Sequence, residues 1–198
     1  CQQWNTFVET QVTATITSSH PLSIISPPQE LSQVTIPTAE RIVIPISEFN
    51  RVLGGGLVPG SLVLISGDPG IGKSTLLLQA SAAIARDKGK VVYASGEETL
   101  HQTKLRAQRL GITGEGLYLM AETDLDAILG QAEELSPSLL VVDSIQTVYL
   151  SAVESTPGSI SQIRECTLRL MHWAKLSGVP VFIAGHVTKE GSIAGPRI

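Results

Sequence analysis

The sequence predicts an α/β fold, with a mostly parallel central sheet and helices on both of its faces. Three observations carry that prediction. Short apolar runs recur at Leu62-Val63-Leu64-Ile65, Val91-Val92-Tyr93-Ala94-Ser95, Leu117-Tyr118-Leu119-Met120, Leu139-Leu140-Val141-Val142 and Val179-Pro180-Val181-Phe182-Ile183-Ala184. They are continuous and do not alternate, which suits strands buried on both faces. Stretches of helical character separate them, and such crossovers return each strand parallel to the last. The third observation is Gly67-Asp68-Pro69-Gly70-Ile71-Gly72-Lys73-Ser74, which reads G-x-x-x-x-G-K-S between the first run and the first helix. That strand–loop–helix setting is the one in which a phosphate-binding loop is meaningful.

The bulk numbers narrow the classes. A length of 198 residues suits one domain with appendages, and 42% apolar residues suffice for a core. The formal charge of −4 excludes a globally basic surface, so any nucleic-acid contact must come from a local patch. Aromatic residues are only 4% of the chain, which argues against a base-stacking platform. Cys1 and Cys166 stand far apart and imply no disulfide framework. A phosphate-loop protein with reduced thiols is expected in the cytoplasm. There is no signal peptide and no apolar run of transmembrane length, so no membrane partner is expected. A start at Cys in place of Met reads as a fragment or a processed product.

Residues 1–9 carry Cys1-Gln2-Gln3-Trp4-Asn5-Thr6. One cysteine cannot build a tetrahedral zinc site, so no metal is expected there from this chain alone. Residues 10–40 are rich in Thr, Ser, Pro and Gln, with Pro21, Pro27, Pro28 and Pro37, and read as an extended, partly disordered linker. Residues 41–198 form the nucleotide-binding domain. Arg41–Pro45 reads as a short strand, and Ile46–Leu53 as a short helix with Ser47 as its cap. Gly54–Gly60 is a turn-rich connector into the first main strand. The helix over Thr75–Ala85 stops at Asp87-Lys88-Gly89-Lys90. The strand Val91–Ser95 ends in Gly96-Glu97-Glu98, and the helix Leu100–Leu110 closes at Gly111. After Leu117–Met120 comes a helix over Leu125–Leu135, stopped by Ser136-Pro137. In Leu139–Ser144 four apolar residues end in an acid, Asp143, and Ser151–Ser161 reads as a loop. The helix Ile163–Leu176 is expected to turn Leu168, Met171 and Trp173 inward. The strand Val179–Ala184 ends in Gly185-His186, and the last twelve residues form a glycine-rich loop.

The chemistry lies at the strand ends. Gly67, Gly70 and Gly72 permit positive φ and close backbone approach to oxygen. The loop from Gly67 through Asp68, Pro69, Gly70, Ile71 and Gly72 into Lys73, Ser74 and Thr75 offers backbone amides and a helix N-terminus to the phosphates of ATP. Lys73 adds a full positive charge toward the β and γ phosphates, and Ser74 a hydroxyl for Mg²⁺. The absence of an N-K-x-D sequence favours ATP over GTP. Asp143, an acid closing an apolar strand, matches the Walker B pattern and can hold Mg²⁺ through water beside Ser74. Glu97 is the first choice for activating the attacking water, with Glu98 as alternate, although both acids also suit the start of the following helix. His186 can contact the γ-phosphate and report its loss to the loop beyond, or serve as a structural histidine. Two loops, 147–162 and 187–198, follow strand ends on the nucleotide side. The second carries Lys189 and Arg197 and can approach a nucleic-acid backbone, a solvated loop being the alternative. Lys104, Arg106 and Arg109 form a basic helix face that reads as solvated surface.

Four stretches together resemble the bacterial RadA/Sms DNA-repair family, paralogous to the RecA recombinase: Cys1–Thr6, Leu53–Ser61 with the phosphate loop, Ser95–Glu98, and Gly185–Gly191 with Ile193–Arg197. Leu53–Ser61 is shared more widely, with RecA and KaiC proteins. The resemblance implies a RecA-like P-loop ATPase that binds single-stranded DNA, forms hexameric rings and drives branch migration of recombination intermediates, in partnership with RecA recombinase. It implies Glu97 as the catalytic glutamate, with DNA-binding loops after Asp143 and after His186. It makes Cys1 the last ligand of a four-cysteine zinc finger whose other three cysteines are not in this sequence, so Zn²⁺ belongs to the full-length protein only. A K-N-R-F-G motif and a Lon-protease-like domain of that family are also not in this sequence. A chain so truncated is expected to bind nucleotide, hydrolyse it weakly and form no stable ring. The competing readings are a KaiC-like regulatory ATPase acting on protein partners, and a binding module in which nucleotide only orders loops.

Overall fold

The computed structural model describes residues 28–34 and 41–186. Residues 1–9, most of the 10–40 linker and the 187–198 loop, with Cys1, Lys189 and Arg197, lie outside the described residues. The chain divides into two units, Cys1–Pro37 and Thr38–Ile198. In the first, Leu31–Gln33 make a single 3₁₀ turn, and residues 28–34 are all exposed.

The second unit runs α1 (Ser47–Val52), β1 (Leu62–Gly67), α2 (Lys73–Lys88), β2 (Val91–Ser95), α3 (Leu100–Arg109), β3 (Leu117–Met120), α4 (Leu125–Leu135), β4 (Leu139–Asp143), α5 (Ile160–Ser177) and β5 (Val181–His186). The strands form one sheet in the order β1-β5-β4-β2-β3, and every neighbouring pair is parallel.

The two-residue period of a strand sorts the sheet into two cores. Val92, Ala94, Leu140, Val142, Val181 and Ile183 face Leu125, Ile128 and Leu129 of α4 and Cys166, Leu170 and Trp173 of α5. Val91, Tyr93, Leu139, Val141, Phe182 and Ala184 face Leu77, Leu78 and Ile84 of α2, together with Ala107 of α3 and Ile44 and Leu57 from the segment before β1. Phe49 of α1 stacks on Phe182 with ring centroids 5.5 Å apart. Asp143 and His186 continue the second parity, so the strands deliver both side chains to the face that α2 covers.

Several local expectations change. Arg41–Pro45 is no strand. It contributes one antiparallel bridge, Ile42 with Leu57, because Pro45 has no N–H and the Ile44 amide donates to Asn50 Oδ1 at 3.3 Å. Ile46, not Ser47, occupies the N-cap of α1, and no side chain caps it. β1 is an edge strand with Leu64 46% exposed, so it is not buried on both faces. α5 starts at Ile160, since Ser159 Oγ accepts from the Gln162 amide at 3.3 Å. Its inward stripe is Ile163, Cys166, Leu170, Trp173 and Ala174, at helical spacing, while Leu168 and Met171 are half-buried.

Candidate nucleotide site

The carboxyl ends of the central strands are in register. Gly67 pairs with His186 and Ser95 with Asp143, so the residues that follow emerge on one edge of the sheet. Between β1 and α2 the chain is open. Asp68, Pro69, Gly70, Ile71 and Gly72 are exposed, and Ser74 and Thr75 are half-buried. Gly70 and Gly72 take φ of 78° and 105°, and a Cβ built on either would meet nothing within 4 Å. Their need is conformational, not spatial. Gly67 is close to extended at φ 159°. The result is an exposed backbone cradle at the N-terminus of a 16-residue helix, which suits an anion.

Lys73 is buried against this cradle. Its Nζ donates to the carbonyls of Gly67 (2.9 Å) and Asp68 (3.0 Å) and lies 3.2 Å from His186 Nδ1. An ammonium only donates, so Nδ1 is the accepting nitrogen and Nε2 carries the proton. Nε2 donates to Glu97 Oε1 at 3.0 Å. The Ser144 hydroxyl donates to the same oxygen at 2.5 Å. Burial works to raise the Glu97 pKa, but the Ser144 and His186 hydrogen bonds and the Lys73 charge outweigh it and hold the carboxyl below its usual value. Glu97 is therefore a carboxylate at neutral pH, with Oε1 doubly bound and, among the described residues, Oε2 left as an acceptor.

Glu98 is differently placed. It pairs with Arg106 of α3, and its Oε2 accepts from Thr103 at 3.4 Å. The two acids thus diverge: Glu97 joins Lys73, His186 and Ser144, while Glu98 fastens the start of α3. Arg106 is accordingly an ion-pair partner and not merely solvated surface. Helix capping falls to Thr99, through a capping box with Gln102.

Asp143 is buried at the end of β4. Its Oδ2 accepts from the Tyr93 hydroxyl at 2.6 Å, and among the described residues Oδ1 makes no hydrogen bond. Among those residues no cluster of three or more His, Cys, Asp or Glu is gathered for a metal. Mg²⁺ typically takes one or two carboxylates together with phosphates and water, and the Ser74 hydroxyl with the free Asp143 oxygen fits that pattern.

The turn after β4 is built tightly. Thr147 Oγ1 donates to the Ser144 carbonyl at 2.8 Å, and Gln146 Nε2 donates to the His186 carbonyl at 3.2 Å. Beyond it, the loop is pinned. Gln162, 1% exposed, accepts from the Leu150 amide and donates to the carbonyls of Leu150, Val153 and Ser155 at 3.0–3.2 Å. Tyr93, Ser144, Gln146 and Gln162 were not singled out in the sequence. The available signals were a phenol inside an aliphatic strand, whose hydroxyl needs a partner when buried, and a serine beside the strand-end acid.

Comparison with known proteins bears on the family and the fold. The profile of the AAA domain family matches residues 26–192. DNA repair protein RadA of Bacillus subtilis (strain 168) is 52% identical over 203 residues, covering 100% of this chain and 44% of the relative. The RadA proteins of Halalkalibacterium halodurans and Listeria monocytogenes are 52% and 50% identical with the same coverage. The chain thus spans under half the length of the curated relatives it matches. Among solved structures, a KaiC-like protein from the archaeon Pyrococcus horikoshii OT3 superposes with a TM-score of 0.62 at 20% identity, over 75% of this chain and 73% of that one. At that identity the likeness concerns the fold, an α/β RecA-like P-loop core. Sheet order, phosphate loop and relatives together place the chain in the RadA family of AAA-domain proteins.

Proposed function

We propose that this chain is the nucleotide-hydrolysing core of an ATP-driven, DNA-binding motor of recombination and repair, which promotes branch migration of recombination intermediates. The observation that carries the reading is the convergence of Lys73, His186, Glu97 and Ser144 on one network beside the phosphate loop. Four side chains from four separate segments meet there, which packing alone does not require.

In this reading the amides of Gly67–Thr75 and Lys73 hold the phosphates, and Ser74 and Asp143 hold Mg²⁺, Asp143 through water. Bound Mg²⁺ supplies charge neutralisation at the phosphate oxygens. Glu97 orients the attacking water through Oε2, since Ser144 and His186 fix Oε1. His186 faces both Lys73 and Glu97, which suits it to respond to the γ-phosphate. Its own carbonyl is held by Gln146, and residues 187–198, with Lys189 and Arg197, follow it directly. A nucleotide-dependent shift of His186 would therefore be felt by both proposed DNA-binding loops, 147–162 and 187–198. The names of the RadA relatives, DNA repair proteins, support DNA as the partner class, and the resemblance points to single strands. By resemblance the full-length protein is a cytoplasmic homohexamer that works with RecA recombinase and carries zinc on Cys1 and three further cysteines.

The test is the ATPase rate of the full-length protein with and without single-stranded DNA. Stimulation, with DNA binding that weakens as salt rises, is expected. An unstimulated rate with no salt-sensitive DNA binding would overturn the motor reading and favour a regulatory ATPase acting on proteins.

A further inference from the structure

We propose that Tyr93 is a positioning residue for the metal-holding carboxylate: its hydroxyl fixes Asp143 through Oδ2 and leaves Oδ1 as the oxygen available to the metal's water. The inference rests on the Mg²⁺ reading of Ser74 and Asp143.

The strands explain why these two side chains meet. Tyr93 pairs with Val141 across β2 and β4, and Ser95 pairs with Asp143. Asp143 therefore lies two residues beyond the position directly opposite Tyr93, on the same face, within reach of a long aromatic side chain. Both are buried, Tyr93 at 2% and Asp143 at 4% exposure. Apolar neighbours would accept phenylalanine at position 93 without loss of packing. A buried hydroxyl costs stability unless it is hydrogen-bonded, and a buried carboxylate costs more. The 2.6 Å bond satisfies both groups at once.

The hydroxyl has a single proton, and the distances say where it goes. Asp143 Oδ2 is at 2.6 Å, a strong charge-assisted geometry. The Ser74 carbonyl is at 3.5 Å, beyond an ordinary O–H···O bond. The phenol nevertheless sits between the Asp143 side chain and the first turn of α2, which carries the other proposed metal-holding residue. A tyrosine hydroxyl is a donor and an ionised carboxylate only accepts, so the proton lies on the phenol side of this bond. Outer partners of this kind orient ligating groups, and their loss typically costs metal affinity about 10–100-fold.

The test uses the full-length protein with Tyr93→Phe, which keeps the ring and removes the hydroxyl. Mn²⁺ stands in for Mg²⁺, its binding to the ADP complex is followed by electron paramagnetic resonance, and ADP affinity is measured with and without metal. The expected result is Mn²⁺ affinity weakened about 10-fold, metal-free ADP affinity within about twofold of the parent, and a melting temperature a few degrees below the parent's, because Asp143 loses its buried partner. Unchanged Mn²⁺ affinity, or equal loss of ADP binding with and without metal, would overturn the proposal. Asp143→Asn separates the two layers. If it too leaves Mn²⁺ binding unchanged, the Mg²⁺ reading fails; if it alone weakens Mn²⁺ binding, only the role of Tyr93 fails. Should Tyr93→Phe misfold, the comparison of Y93F/D143N with D143N decides, because no buried carboxylate is then left unpaired. The second substitution should add about twofold or less, and a full ten-fold further loss would reject the link through Asp143.

Discussion

Gly96 sits where the proposed hydrolysis site tolerates least. A Cβ there would lie 2.3 Å from Thr147 Oγ1, 2.6 Å from Thr147 Cβ and 2.9 Å from Thr123 Cγ2. Non-bonded carbons rest about 3.5–4.0 Å apart, so Gly96→Ala demands a displacement on the order of 1 Å. Rotation of a flexible side-chain end cannot relieve it, because Thr147 Cβ is one bond from the backbone. Thr147 bonds the Ser144 carbonyl through both its hydroxyl (2.8 Å) and its amide (3.2 Å), so the turn moves together and carries Ser144 with it. Ser144 is one of the two donors on Glu97, and Glu97 is the residue next to Gly96. Overpacking of this kind costs about 1–3 kcal/mol. At about 2–4 °C per kcal/mol for a chain of this size, the melting temperature should fall by roughly 2–12 °C. Misplacement of a reacting group by about 1 Å costs on the order of 100-fold in rate. The expected outcome for the full-length protein is turnover reduced about 100-fold, with ADP affinity within a few-fold of the parent, since Gly67–Ser74 does not border the clash. Thermal melts, steady-state ATPase and fluorescent-ADP titration measure the three quantities. A Gly96→Ala protein that melts and turns over like the parent would refute the argument that this glycine spaces the Glu97 network.

Glu97→Gln should remove nearly all turnover and spare nucleotide binding, whereas Glu98→Gln should keep most turnover and lower the melting temperature slightly, because Glu98 is committed to Arg106; equal loss of turnover in both would contradict the division of roles. Gly130 is exposed inside α4, and a Cβ there meets nothing within 4 Å, so Gly130→Ala should stabilise the fold by about 0.5–1 kcal/mol, read from urea denaturation. Burial, with Asp126 and Glu165 nearby, pushes the Cys166 thiol from 9.0 up to about 11. Its contribution to stability is therefore complete below pH 9 and lost as pH rises from there through about 11, so a Cys166→Ala protein should lose stability less steeply than the parent over that window in melts at fixed pH.

Much of this was readable from the chain because the phosphate loop, the acid closing a strand and the alternation of apolar runs with helices are local patterns. Glu97 was preferred over Glu98, but the choice became geometric only when Arg106 of α3 was seen to hold Glu98. What stayed hidden depends on distance in sequence. The order β1-β5-β4-β2-β3 is set by crossovers, which no window of residues records, and so β1 read as a buried strand when it is an edge. Tyr93 read as one more apolar residue because its partner lies fifty positions on. Arg41–Pro45 misled in the other direction: it has strand composition, yet its hydrogen-bonding groups are spent on Leu57 and Asn50. In α5 the length was nearly right and the phase was not, since the inward stripe follows Cys166 and Leu170 rather than Leu168 and Met171.

The contacts of Lys73 have a consequence for affinity. With the Gly67 and Asp68 carbonyls and His186 Nδ1 as partners, all three ammonium protons already have acceptors inside the protein. A phosphate arriving at this loop would enter an exchange and not a vacancy: each bond it offers Lys73 replaces one that the chain already makes. The net gain is a difference between comparable terms, far smaller than the gross strength of an ammonium–phosphate contact. Such a loop should hold a lone inorganic phosphate poorly and reward only an anion with enough oxygens to engage the amides as well. In the proposed hydrolysis cycle, where product must leave at every turnover, a lysine with a fallback set of partners favours quick release.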